Sequence, residues 1–156
     1  MAIIVEAPNE EYSIQNETLN LKVFVAGGIT NCPDWQAEFL EYFKDYDFVT
    51  FFNPRRKDFD VTDPKASEKQ IVWEHRHLEE ADVIIYWFSR GSLNPIVLYE
   101  LGKYINTNKH ILIGIDPEYQ RKSDVEVQSA LMNYENGYFY TIEVLANELK
   151  ALLSKN

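Results

Sequence analysis

The stretch Ala81-Asp82-Val83-Ile84-Ile85-Tyr86-Trp87-Phe88-Ser89-Arg90-Gly91-Ser92-Leu93-Asn94-Pro95-Ile96-Val97-Leu98-Tyr99-Glu100-Leu101-Gly102 decides how this chain folds. Residues 83–88 are continuously apolar, β-branched and aromatic, the composition of a parallel strand covered on both faces. Gly91, Ser92 and Asn94 break the run. Asn94-Pro95 predicts a helix start, with Asn as N-cap and Pro as first helical residue. Glu100 then sits under two turns into that helix, among Val97, Leu98, Leu101 and Tyr104. Open α/β sheets carry their chemistry just beyond the C-terminal ends of parallel strands, so Glu100 is the expected reactive group. An ordinary helix carboxylate is the competing reading.

Outward from that stretch, strands and helices alternate. Residues 21–26 read as a strand closed by Gly27-Gly28, and 33–44 as a helix with Trp35, Phe39, Leu40 and Phe43 on one stripe. Residues 48–52 form a second buried strand, stopped by Asn53-Pro54. The charged, proline-punctuated run over 55–65 is a long loop across the strand ends. A helix over 67–80 follows, with Ile71, Trp73, His77 and Leu78 as its expected buried positions. Beyond the central stretch come a strand at 110–115, a helix at 125–132, a short strand at 138–140 and an amphipathic helix at 142–153. Residues 2–5, ahead of a polar loop over 8–20, are an edge strand or an arm. The alternation predicts an α/β fold, a flavodoxin-like doubly wound sheet of about five parallel strands with helices on both faces. In that order the strands at 21–26 and 83–88 are neighbours at the switch point. The loops after Ala26 and Phe88 then face one cleft.

At 156 residues, 1–156 is most simply one domain, with 1–20 as its arm or edge strand. Fifteen basic against 25 acidic residues give a formal charge of −10, which argues against a nucleic-acid duplex or an anionic membrane as partner. No apolar run approaches the roughly 20 residues of a membrane span. Met1-Ala2-Ile3-Ile4-Val5-Glu6 lacks the basic start and apolar stretch of a signal peptide. Cys32 is the single cysteine, so no internal disulfide forms and a reducing, cytoplasmic setting is expected.

Gly27-Gly28 ends its strand without bulk, so a ligand or a second backbone can come close; a plain tight turn explains it equally well. Gly27-Gly28-Ile29-Thr30-Asn31 has neither the glycine spacing of a dinucleotide site nor the Gly-Lys-Ser/Thr of a phosphate loop. On the 67–80 helix, His75 and His77 are two apart and point to different faces, so no metal site is expected. Most charges there read as a solvated face. Glu74 is held apart, as a second carboxyl facing the same sheet edge as Glu100. Two carboxyls flanking a glycosidic bond run a retaining mechanism, one as nucleophile and one as acid/base. Arg55 and Arg56 hold a phosphate bidentately or pair with the acidic surface. Trp35, Trp73 and Trp87 are core candidates, and any of them lining the cleft is a base-stacking surface.

Several of these motifs, in this order, resemble the nucleoside 2-deoxyribosyltransferase-like family. They are Val23-Phe24-Val25-Ala26-Gly27-Gly28, Pro33-Asp34-Trp35-Gln36, Asn53-Pro54-Arg55-Arg56, Trp73-Glu74, Glu80-Ala81-Asp82 and Tyr99-Glu100-Leu101-Gly102. The likeness runs from about residue 21 to 128 and closes on Asp124-Val125-Glu126-Val127-Gln128. It implies a flavodoxin-like fold and cleavage of the N-glycosidic bond of 2′-deoxynucleosides, with transfer of deoxyribose to a free nucleobase and no cofactor or metal. The family's nucleophilic glutamate falls on Glu100. Its carboxylate near the leaving base, usually aspartate, falls on Glu74, and its sugar-contacting aspartate on Asn94. Gly27, Gly28, Trp35, Asn53 and Arg55 lie in the matching motifs as further substrate-binding candidates. A neighbouring subunit completes each site in such enzymes, which implies a homo-oligomer; Asp124 and Gln128 are the candidates for that role. Phe24 stands where better-known members carry a tyrosine that positions the nucleophile. The chain ends Ser154-Lys155-Asn156, where some members end in an aromatic residue whose carboxylate enters the neighbouring site.

The closest rival is hydrolysis on the same fold, of deoxynucleosides or of their 5′-monophosphates with Arg55 or Arg56 on the phosphate. Related hydrolases place a serine- and arginine-bearing loop after the first strand. Gly28-Ile29-Thr30-Asn31 has no arginine, which favours nucleosides. A rival from another class is a non-catalytic nucleotide-sensing module.

Overall fold

A computed structural model of the chain describes residues 1–14, 19–58 and 60–155. Among these, six strands and five helices follow in order: β1 (Ile3–Glu6), β2 (Leu21–Gly27), α1 (Trp35–Glu41), β3 (Val49–Asn53), α2 (Ala66–Glu80), β4 (Val83–Phe88), α3 (Pro95–Tyr104), β5 (His110–Ile115), α4 (Lys122–Leu131), β6 (Tyr138–Phe139) and α5 (Ile142–Leu153). The strands form one all-parallel sheet in the order β1-β3-β2-β4-β5-β6. This is the doubly wound α/β fold expected, with six strands instead of about five. The additional strand is the N-terminal segment, which pairs along β3 from Ile3 opposite Thr50 to Glu6 opposite Asn53. Part of the polar loop that follows it, residues 15–18, lies outside the described residues, as does Phe59 in the 55–65 loop.

β2 and β4 are neighbours, in register from Val23 opposite Val83 to Gly27 opposite Trp87. Because side chains alternate along a strand, parity sorts the core into two layers. Val23, Val25, Val83, Ile85 and Trp87 pack with Trp35, Phe39 and Phe43 of the α1 side and with Leu145 and Leu149 of α5. Phe24, Ala26, Ile84, Tyr86 and Phe88 pack with Trp73 and Leu78 of α2 and with Val97, Leu101 and Tyr104 of α3. Each fully buried large side chain contributes about 1.5–3 kcal/mol, so both layers are needed to order the sheet.

The ends of α1 and α5 follow their sequence. The Asp34 carboxylate accepts from Ala37 N at 3.0 Å, and Thr141 Oγ1 accepts from Val144 N at 3.1 Å. On α2, Trp73, His77 and Leu78 are buried as expected, but Ile71 is 64% exposed. Two residues from Trp73 is about 200° around a helix, so Ile71 points away from the sheet. Trp73 Nε1 donates to Asn9 O at 2.7 Å, and the Tyr12 hydroxyl donates to Glu80. The N-terminal arm therefore lies along α2 and fixes its position. No helix among the described residues is long and apolar enough to cross a membrane.

Candidate active site

The loops after β2 and β4 meet at the C-terminal edge of the sheet and open a cleft of about 350 Å³. Its floor and walls include Phe24, Ala26, Gly27 and Gly28 from β2 and its loop, Glu74 from α2, and Asn94 and Glu100 from the start of α3. A volume near the lower bound of small-molecule sites suits a compact ligand. A larger open depression of about 860 Å³ lies at the opposite, N-terminal edge, bordered by Lys22, Asp47, Glu80, Asp82 and Lys155. Topology, not size, separates the two: doubly wound sheets present ligands to the C-terminal strand ends.

The cleft depends on close packing around two glycines. A Cβ on Gly27 would lie 2.4 Å from the Trp35 ring, and one on Gly28 would lie 2.1 Å from Asn94 Oδ1 and 2.5 Å from Cys32 Sγ. Trp35 Nε1 donates to Gly28 O at 3.2 Å from beneath. Arg55 clamps the same loop from the side, donating to Ile29 O at 2.7 Å and Cys32 O at 3.0 Å while pairing with Asp34. Asn94 sits in the left-handed region, φ 51° and ψ 54°, which asparagine tolerates better than other non-glycine residues. It precedes Pro95 as expected, yet its side chain makes no capping bond to α3. The amide instead donates to Ser89 O and Ser92 O, turning back into the β4–α3 loop.

Glu100 and Glu74 come from different helices and line the same cleft. Burial pushes the Glu100 carboxyl up to about 8, the Glu74 charge adds to the rise, and Lys103 opposes it. Burial also raises Glu74, against a hydrogen bond from Gln70 Nε2 at 2.8 Å that favours its charged form. Gln70 is fixed from both ends: its amide also donates to Pro54 O at 2.9 Å, and its carbonyl accepts from Arg56 at 3.3 Å. Both carboxyls are thus pushed toward their protonated forms, and the cleft is a place where a proton is held against water.

The remaining candidates divide. Gly27, Gly28 and Asn94 line the cleft. Trp35 does not: it is 2% exposed, on the other face of the sheet against Trp87 and Phe39. Its odd-numbered strand neighbours, Val25 and Gly27, point to the α1 layer, and the glycine lets the ring pass under the loop. Asn53 is buried at the end of β3, where its side-chain Oδ1 accepts from Arg55 N, and Pro54 lines the cleft in its place. Both arginines are engaged within the chain, Arg55 as above and Arg56 with Asp58 O and Gln70. Asp124 and Gln128 line a separate groove of about 320 Å³ between α3 and α4, with Leu98, Leu101 and Val125.

Sequence reasoning missed two residues. Gln70 is one turn before Glu74, and that i, i+4 spacing is a legible signal for an amide–carboxylate contact. Tyr86 is fully buried in β4 and its hydroxyl has no hydrogen-bond partner among the described residues. A buried hydroxyl left unpaired costs about 1–3 kcal/mol. Burial raises the Tyr86 phenol well above its usual range, and the nearby Glu100 and Tyr104 add to this.

Residues 20–119 match the family model described as nucleoside 2-deoxyribosyltransferase like. The matched span contains Glu74, Asn94, Glu100 and both loops of the cleft, and ends before Asp124. Among curated proteins, none matches the sequence of the chain.

Proposed function

Since the chain belongs to the nucleoside 2-deoxyribosyltransferase-like family, we propose that it transfers 2-deoxyribose from a 2′-deoxynucleoside to a free nucleobase by double displacement through Glu100. The observation that carries this reading is the pair of half-buried carboxyls, Glu74 and Glu100, brought from two helices into one cleft at the switch point. For attack, Glu100 passes its proton to Glu74, whose charged form Gln70 favours until then. Glu100 then bonds to C1′ as the N-glycosidic bond breaks, and the departing base takes the proton from Glu74. A second base attacks the glycosyl ester, returns its proton to Glu74 and restores the original anomeric configuration. The transition state gains positive charge on the sugar, and the Glu74–Glu100 pair supplies the compensating negative charge. No metal or cofactor enters these steps.

Asn94 is the residue proposed to meet the sugar hydroxyls, and the apolar wall of Phe24, Ile29, Pro54 and Ile96 the surface for the base. An uncharged nucleoside fits this cleft better than a nucleotide, because no lysine, arginine or histidine among the described residues lines it. We read Asp124 and Gln128 as groups offered to the cleft of a second copy, since they do not reach the cleft of their own chain. If water replaces the second base, the same steps make the enzyme a hydrolase.

The test is incubation of the purified protein with 2′-deoxyinosine and adenine, followed by chromatography, with Glu100→Ala in parallel. New deoxyadenosine that disappears in the variant supports transfer through Glu100. Free hypoxanthine alone makes the chain a hydrolase. Intact deoxynucleosides and monophosphates, with ligand binding indifferent to Glu100→Ala, reduce it to a sensing module.

A further inference from the structure

The two carboxyls of the cleft are not equally served. Glu74 receives the Gln70 amide, whereas no hydrogen bond to the Glu100 carboxyl is made by the described residues. A protonated carboxyl tolerates this, but an ionised one buried in the same place needs a donor. Three elements pack around Glu100, and their charged and titratable groups are few. On its own helix, Lys103 donates to the Tyr104 hydroxyl at 3.1 Å and pairs with Glu79. The Tyr104 hydroxyl in turn donates to Glu79 at 2.6 Å. On α2 the facing group is Glu74, an acceptor. On the sheet it is Tyr86.

Tyr86 is opposite Ala26 in the β2–β4 register, so it projects onto the same face as Phe24 and Ala26, which line the cleft. It shares a core layer with Val97, Leu101 and Tyr104, the residues that flank Glu100 on the inner face of α3. Its hydroxyl is buried, unpaired and within electrostatic reach of Glu100. We infer that the Tyr86 hydroxyl donates to the ionised Glu100 carboxylate and holds it for attack, making Tyr86 a positioning residue of this site. The inference rests on the reading of Glu100 as nucleophile, and it accounts for a hydroxyl that would otherwise only weaken the core. The donor favours the charged form, so it eases the transfer of the Glu100 proton to Glu74.

The experiment is a carbon-13 NMR titration of the glutamate carboxyls in the intact free protein, with the Glu100 signal assigned from its loss in Glu100→Gln. In Tyr86→Phe the Glu100 midpoint is expected to move up by about half a pH unit or more, as it should when a donor to the charged form is removed. In Tyr86→3-fluorotyrosine, whose phenol is a stronger donor of similar size, it is expected to move down. On the substrate that the wild type turns over, kcat of Tyr86→Phe is expected to fall about tenfold with KM changed less than twofold, and the acid limb of the pH profile to move up with the midpoint. An unchanged midpoint in both variants overturns the inference and leaves Tyr86 a core aromatic. A wild-type protein without turnover overturns the transferase reading instead, and the titration still decides the contact.

Discussion

Glu100 holds its proton to about pH 8, whereas an unfolded glutamate releases it near 4.5. Between those values the folded chain binds a proton that the unfolded chain has lost, so stability falls as pH rises through this window and levels off above it. The fold is thus penalised for the same burial that arms the site. Glu100→Gln removes the ionisation and keeps the shape. It is expected to raise the melting temperature at pH 9 by roughly 4–8 °C, the effect of about 2 kcal/mol on a chain of this length, and to change it little at pH 4.5. Calorimetry at the two pH values checks this. An equal effect at both would mean that the side chain, not its charge, carries the difference.

The loop between β2 and α1 is the element on which the cleft rests, and it tolerates little change. Gly28→Ala would force a methyl group into Asn94 Oδ1 and Cys32 Sγ while Arg55 holds the loop backbone. A displacement of Asn94 near 1 Å is expected to lower kcat/KM about 100-fold, read by steady-state kinetics, with a smaller loss of melting temperature. A variant with wild-type kinetics would show that Asn94 has no part in substrate positioning. This loop and its neighbours also mark how far the sequence could be read. The core strands and their order were legible because residues 21–26, 48–52, 83–88 and 110–115 are compact apolar runs separated by helical stripes. The cleft between the loops after Ala26 and Phe88 followed from that order. β1 was only half legible, since a parallel edge strand has no hairpin turn to announce its partner. Asn94-Pro95 located the N-cap and first residue of α3 correctly, but the use of the asparagine side chain was not legible: its amide serves the loop before the helix. The engagement of Arg55 with carbonyl groups was hidden, because Ile29 and Cys32 carry no sequence signal of accepting a bond. The orientation of Glu74 emerged only when Trp73, His77 and Leu78 fixed which side of α2 meets the sheet.

Across the whole molecule, the charge of −10 and a cleft that no cation lines among the described residues both favour the uncharged substrate proposed above. The outer surface of α3 and α4 is less polar: Tyr99 is 74% exposed and Leu131 78%. Each is next in sequence to a residue of the groove that holds Asp124 and Gln128, Tyr99 to Leu98 and Leu131 to Met132. If a second copy covers this surface and completes the site, Tyr99→Glu combined with Leu131→Glu is expected to yield a monomer in analytical ultracentrifugation. Transfer would then fall about tenfold or more, since groups that position the substrate are lost. A monomeric wild type with full activity would remove the shared site from the mechanism. The position of β2 has one more consequence, for the order in which the molecule is made. β2 lies between β3 and β4, and each neighbour is reached only through a helical crossover. No local hairpin can bring Gly28, Glu74 and Glu100 together, so the cleft closes late, after long stretches of chain have been threaded and docked. Chains caught midway during synthesis or refolding would carry much of their secondary structure and none of their chemistry.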